Sequence, residues 1–146
     1  SLRPVRRPTP SVDVGGVLVG SSHPVVVQSM ITADTMDTAA CVRQTLDLVA
    51  VGCQLVRITA PTVKDAANLQ CIVGELRAQG CWVPIAADIH FKPEAALEAA
   101  RTALAPNFIL KGSVPRALAV QIAAHEAEVL VMLGEKPLVA ENFILK

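Results

Sequence analysis

Three short stretches carry side chains whose types and spacing can do chemistry. In Leu55-Val56-Arg57-Ile58-Thr59 a single arginine interrupts an apolar run. Alternate residues of a strand share a face, so Leu55, Arg57 and Thr59 fall together, with Val56 and Ile58 opposite. Burying a guanidinium is costly unless it meets an anion, and its planar fork fits a carboxylate or a phosphate. Spacing leaves two assignments open: a clamp on an anionic ligand, or an ion pair inside the fold. In Ile85-Ala86-Ala87-Asp88-Ile89-His90 the same period puts Ala86, Asp88 and His90 on one face. Asp-x-His can be a proton-transfer pair, an anion-binding imidazolium, two metal ligands, or a histidine satisfied by its own aspartate. No third metal ligand stands out. Gln28-Ser29-Met30-Ile31-Thr32 ends an earlier apolar run with neutral hydrogen-bonding groups. Lys111, before Gly112-Ser113, ends a later one, where a lysine either meets a phosphate or is simply solvated. His23 and His125 receive no role, and no P-loop, GxGxxG or Ser-His-Asp arrangement is present.

These groups need elements to position them, and the chain supplies a repeat. Strand-like runs begin at Val25, Leu55 and Ile85, thirty residues apart, with helical patterns between; strand–helix–strand at this spacing is a parallel crossover unit. The first helix is predicted from Asp37 or Thr38, with Val42, Leu46, Val49 and Ala50 on one face and Gly52 closing it. The second starts at Thr62, with Asp65 completing a capping box, and buries Ala66, Leu69, Val73 and Leu76 before Gly80. The third runs from about Pro93 to about Leu104. Beyond Pro106, strands are predicted at Asn107–Lys111 and Val129–Leu133, joined by a helix over about 116–126. The string NFILK returns at Asn142–Lys146, either as an equivalent strand or as a coincidence of composition. Ahead of the repeat, Val12–Val19 alternates around Gly15-Gly16, which predicts a hairpin plugging the floor of a barrel. The expected fold is α/β: a partial or shortened TIM-type parallel βα-barrel of up to six strands with an N-terminal hairpin. Ligands of such barrels bind at the carboxyl ends of the strands, and a closed one takes about 250 residues. Residues 1–146 are expected to form one incomplete barrel domain, with 1–10 as an irregular, solvated arm.

Composition agrees and excludes other classes. Hydrophobic residues make up 52% and charged residues 18% of the chain, which with few aromatics calls for an aliphatic, alanine-rich core of the kind that covers parallel sheets. Thirteen basic residues balance thirteen acidic ones, so there is no basic field for nucleic acid and no charge reason for a membrane surface. Apolar runs stay far below the roughly 20 residues of a membrane span. Cys41, Cys53, Cys71 and Cys81 form no CxxC pair and read as small buried apolar residues in a reducing compartment. A chain beginning at Ser1 without methionine and ending at Lys146 within a strand-like run reads as a fragment.

Four strings in order carry a resemblance: RRPTPSVDVGGVLVGSSHPVVVQSM, TADTMDT, GCQLVRITAPTVKDAANL and VPIAADIHFKPEAALEAA. They are similar to the amino-terminal barrel of the 4-hydroxy-3-methylbut-2-enyl diphosphate synthase family, in its long form, from about Arg6 to Ala100. The resemblance implies reductive ring opening of 2-C-methylerythritol 2,4-cyclodiphosphate in isoprenoid biosynthesis. It also implies two electrons from ferredoxin or flavodoxin, a homodimer, and a bacterial cytoplasm or plastid stroma. The 4Fe–4S cluster of the complete enzyme sits on a separate carboxyl-terminal domain, on three cysteines and a glutamate; none of the four cysteines here matches such a position. Arg57, Asp88 and His90 match family substrate-site positions: Arg57 for the diphosphate, Asp88 and His90 for hydrogen bonds or proton tuning beside it. Gln28 and Ser29 stand at the same rim. NFILKGSVP resembles a later family strand ending Lys-Ala-Ser, which makes Lys111 the family's phosphate-binding lysine. The family's RINPGN-type segment with its phosphate-binding arginines is missing, so this chain alone, lacking those anion ligands and the electron source, is expected to be catalytically inert. With no cysteine at a cluster-ligand position it is expected to bind no cluster. The competing reading is a non-catalytic shortened barrel acting as a binding or assembly module.

Overall fold

Val12–Val19 closes into a hairpin: β1 (Val12–Val14) pairs antiparallel with β2 (Val17–Val19), Val14 opposite Val17. The turn needs positive φ at both central positions, and Gly15 (57°) and Gly16 (89°) adopt it without a Cβ clash. Asp13 Oδ1 accepts from Gly16 N at 2.6 Å, satisfying the turn's amide. A computed structural model of the chain describes residues 5–89 and 92–99 with their side chains, and the backbone of residues 100–102, 108–112, 129–133 and 136–138. His90, the helix expected over 116–126 and the repeat at 142–146 lie outside the described residues. Residues 5–10 are exposed and irregular, yet not detached: Thr9 and Ser21 exchange backbone-to-hydroxyl hydrogen bonds of 2.8 and 2.9 Å.

The thirty-residue repeat becomes a parallel sheet in sequential order. β3 (Gln28–Met30), β4 (Leu55–Thr59), β5 (Ile85–Asp88), β6 (Phe108–Gly112) and β7 (Val129–Leu133) pair parallel, each with the next, and β8 (Lys136–Leu138) closes the row antiparallel to β7. Sequential parallel pairing is the arrangement of a TIM-type barrel. Among the described residues the sheet stays open, with β3 and β8 at its edges. β8 departs from the expected all-parallel order: only residues 134 and 135 separate it from β7, too few for a parallel crossover. The first parallel strand also shifts. The apolar run Val25–Gln28 predicts it, but pairing begins only where β4 begins, and Gln28 lies opposite Leu55. Gln54, still in the turn, holds the preceding stretch instead: its backbone N–H donates to Val27 O at 2.8 Å and its side-chain Oε1 accepts from Val27 N at 3.0 Å.

Helices cover one face of the sheet. α1 (Thr38–Ala50) starts as expected at Asp37, whose side chain accepts from Ala40 N at 3.0 Å. Its buried line differs in part: Cys41, Val42 and Thr45 are buried, Leu46 and Val49 are half-buried, and Ala50 is exposed. Thr45 tolerates the core because its hydroxyl donates to Cys41 O one turn back at 2.8 Å. α2 (Val63–Ala78) buries the expected Ala66, Leu69, Val73 and Leu76, together with Ile72 and Asp65. α3 (Pro93–Thr102) presents Ala95, Ala96 and Ala99, and α2 packs against both α1 and α3. Val56, Ile58, Ile85 and Ala87 of the sheet join these helices in one core. On the other face Val14 of the hairpin packs with Leu55 and Ala86, flanked by Val12 and Val26. The hairpin therefore floors the inner face one layer below Arg57 and Asp88. Among the described residues no helix is long and apolar enough to cross a membrane.

The capping box at Thr62 is complete: Thr62 Oγ1 accepts from Asp65 N at 3.2 Å and Asp65 Oδ2 accepts from Thr62 N at 3.1 Å. Thr62→Ala should lower the unfolding free energy by about 1 kcal/mol, read as a shifted urea midpoint at unchanged slope.

Candidate functional site

The register of the parallel ladder decides which polar residues meet. Met30, Arg57 and Ala86 lie in one row; Thr59, Asp88 and Lys111 lie in the next row toward the carboxyl ends. Partners in a parallel pair share a face, so Arg57 and Asp88 both point away from the helices, as their positions in alternation require. They meet: Arg57 Nε lies 3.2 Å from Asp88 Oδ2. The Asp88 side chain is 5% exposed, whereas 22% of the Arg57 side chain reaches solvent. The guanidinium thus spans from a buried carboxylate to the open rim, and its Nη2 also donates to Met30 Sδ at 3.4 Å.

The other candidates divide. Lys111 stands opposite Asp88 in the ladder by its backbone. Gln28 shares the Arg57 face but pairs with Leu55, one layer nearer the floor, and it is exposed. Ser29 does not join the group: it pairs with Val56, on the helix-covered side, at an exposed sheet edge. Neither Gln28 nor Ser29 hydrogen-bonds Arg57 among the described residues, and His90 lies outside them.

The rim segment TADTMDT after β3 is built from side chains of elements far along the chain. Gln44 of α1 accepts from Thr32 N and Ala33 N, both at 2.9 Å. Asn68 of α2 donates to Thr35 O at 2.7 Å and to Thr38 Oγ1 at 3.0 Å. The buried Thr35 donates its hydroxyl to Thr59 O at the end of β4. Asp34 Oδ1 accepts from Met36 N at 2.9 Å, an Asx turn that leads into α1. Met30, Gln44, Thr35 and Asn68 escape a reading based on charged and catalytic residue types. The available signal for Asn68 is an amide set beside the buried stripe of an amphipathic helix.

The cysteines do not converge. Cys41 Sγ donates to Asp34 O at 3.2 Å, and burial, then Asp37 and Asp34, push its thiol pKa up, which keeps it protonated. Cys53 Sγ donates to Leu55 O at 3.0 Å, Cys81 is buried and Cys71 is exposed. Among the described residues no group of three His, Cys, Asp or Glu side chains is placed to hold a metal ion. These residues do not fit an iron–sulfur cluster. Among the described residues the rim offers a guanidinium in charge contact with a buried carboxylate, on a floored face of a parallel sheet.

Comparison with known proteins identifies the fold family. Residues 9–132 match the family model described as the GcpE TIM-barrel domain. The chain is 57% identical over 99 residues to 4-hydroxy-3-methylbut-2-en-1-yl diphosphate synthase (flavodoxin) of Akkermansia muciniphila, covering 68% of this chain and 17% of that protein. It is 50% identical over 94 residues to the flavodoxin-type enzyme of Leptospira interrogans, covering 64% of this chain and 14% of that protein. To the ferredoxin-type enzyme of Synechococcus sp. CC9311 it is 47% identical over 85 residues, covering 58% of this chain and 21% of that protein. The chain thus spans about a fifth or less of the length of these relatives. With a family model matching most of its length, the chain belongs to the GcpE family, within its TIM-barrel domain.

Proposed function

We propose that this chain supplies the diphosphate-binding face of a 4-hydroxy-3-methylbut-2-en-1-yl diphosphate synthase. The complete oxidoreductase opens 2-C-methylerythritol 2,4-cyclodiphosphate reductively for isoprenoid biosynthesis, in a bacterial cytoplasm or plastid stroma. It works as a homodimer fed by flavodoxin or ferredoxin, the donors named for the relatives. The 4Fe–4S cluster of the complete enzyme lies outside this chain, and residues 1–146 act as one incomplete barrel unit whose part is to bind and orient the anionic end of the substrate. The observation that carries this reading is the Arg57–Asp88 pair. Asp88 draws the guanidinium to this face, and its outer N–H groups donate charge-assisted hydrogen bonds to phosphate oxygens. Lys111, opposite Asp88, and His90, two residues beyond it, add positive charge or hydrogen bonds, and Gln28 contributes a neutral group lower on the same face.

Calorimetric titration of the chain with inorganic pyrophosphate tests this. Saturable binding that weakens with added salt is the expected result, and a flat titration at low ionic strength overturns the reading. Incubation with the cyclodiphosphate and reduced flavodoxin should give no turnover by this chain alone.

One observation favours a second reading, a non-catalytic binding or assembly module. All three residues of edge strand β3 are exposed, and Val25 and Val27 before it are exposed as well. An open edge of this kind pairs readily with another strand. A discrete oligomer in size-exclusion chromatography, with no pyrophosphate binding, would favour the module.

A further inference from the structure

Arg57 has a partner that anion binding does not require. Its Nη2 donates to the thioether of Met30 at 3.4 Å. Sulfur of this kind is a weak acceptor, and Met30 is 41% exposed, so core filling does not explain its position. The contact is set by register, since Met30 is the direct ladder partner of Arg57. The two residues before it on β3 carry stronger acceptors, an amide in Gln28 and a hydroxyl in Ser29, yet the register turns Ser29 to the other face and sets Gln28 one layer lower. The position beside the guanidinium is held by the weakest acceptor of the strand.

We propose that Met30 is a positioning residue for the anion site. It props Arg57 toward the rim from the side opposite Asp88 and releases the Nη2 hydrogen bond when a phosphate oxygen arrives. The inference rests on the anion-binding reading of Arg57. A charged oxygen makes a hydrogen bond about twice as strong as a neutral one, so exchange from sulfur to phosphate is downhill. An amide or hydroxyl oxygen at position 30 would hold the guanidinium more firmly and compete with the ligand. The unbranched thioether side chain has the rotatable bonds to swing aside.

The test compares Met30→Leu, Met30→Gln and Met30→Thr with the unaltered chain, reading pyrophosphate affinity by calorimetry and the thermal midpoint in parallel. Met30→Leu, which keeps bulk without a better acceptor, should bind within about twofold of the unaltered chain. Met30→Gln should bind about fivefold more weakly, the scale of one competing neutral hydrogen bond. Met30→Thr, a hydroxyl on a residue type suited to strands, should move in the same direction. Midpoints should stay level, because the side chain is exposed. Equal affinity of the Gln and unaltered chains overturns the inference, as does a Leu variant that loses as much as Gln, which would show that competition from a stronger acceptor is not what weakens binding. Absence of binding to the unaltered chain refutes the anion site itself and the inference with it, an outcome distinct from both.

Discussion

Replacing Arg57 by methionine should lower the affinity of this chain for pyrophosphate by about tenfold to a hundredfold. A hydrogen bond to a charged group contributes roughly 1.5–3 kcal/mol net, which corresponds to about that ratio of dissociation constants. The guanidinium is held on two sides, by Asp88 Oδ2 at 3.2 Å and Met30 Sδ at 3.4 Å, while part of the side chain still faces solvent. The charge contact with Asp88 biases the guanidinium toward this face before any ligand arrives, although Arg57 Nε makes no hydrogen bond among the described residues, and methionine removes both the charge and the fork. Arg57→Lys separates the two contributions. It keeps a positive charge but not the planar pair of donors, so its affinity should fall between the other two, with the salt dependence retained. The competing account treats Arg57 as a structural counter-ion for the buried Asp88. Under that account Arg57→Met loses stability, because a carboxylate side chain that is 5% exposed loses an opposite charge, while the affinity stays put. Calorimetry and urea unfolding on the same variant distinguish the two, and an unchanged dissociation constant would falsify the anion-clamp reading.

Leu69→Ala should cost about 2–5 kcal/mol of unfolding free energy, against a total of about 5–15 kcal/mol for a typical domain. Leu69 is fully buried at the centre of α2, the helix that packs against both α1 and α3 and shares a core with Val56, Ile58, Ile85 and Ala87. Core residues held on regular elements can collapse only partly into the space left. The urea midpoint should drop by far more than for Thr62→Ala, because a cavity in the shared core costs more than the loss of one cap. A drop no larger than that of the capping variant would mean that α2 does not organise the core. Arg57 and Asp88 lie on the opposite face of the sheet, so at temperatures where Leu69→Ala stays folded its pyrophosphate affinity should match that of the unaltered chain.

The helix starts and the central strands were legible because their signals are local. Asp37 and Thr62 stand where a side-chain oxygen meets the free amides of a first turn. The stripe Ala66, Leu69, Val73 and Leu76 repeats at the period of a helix, and LVRIT alternates at the period of a strand, so one arginine among apolar neighbours announces its own face. The hairpin was legible for a similar reason: two adjacent glycines between alternating valines permit the required turn.

Three features were not legible. β3 was expected over Val25–Gln28 from its apolar run, but an edge strand pairs only where its neighbour offers a ladder, and β4 begins opposite Gln28. That shift puts Met30, rather than a polar residue, against Arg57. The rim segment is held by Gln44 and by Asn68, 33 residues beyond Thr35, and no local periodicity records such a contact. β8 turns antiparallel because a two-residue link cannot cross over, which says nothing about where the strand begins.

From the amino-acid order alone came the repeat, the caps, the inward-facing positions 57 and 88 and the family likeness, since all of these follow from spacing along one strand or helix. Tertiary structure alone decided that Arg57 touches Asp88, that a thioether stands on its other side, and that Ser29 turns to the opposite face of the sheet. Those outcomes depend on how neighbouring strands slide past one another. A shift of one residue exchanges the faces of every side chain while leaving each strand's own pattern unchanged.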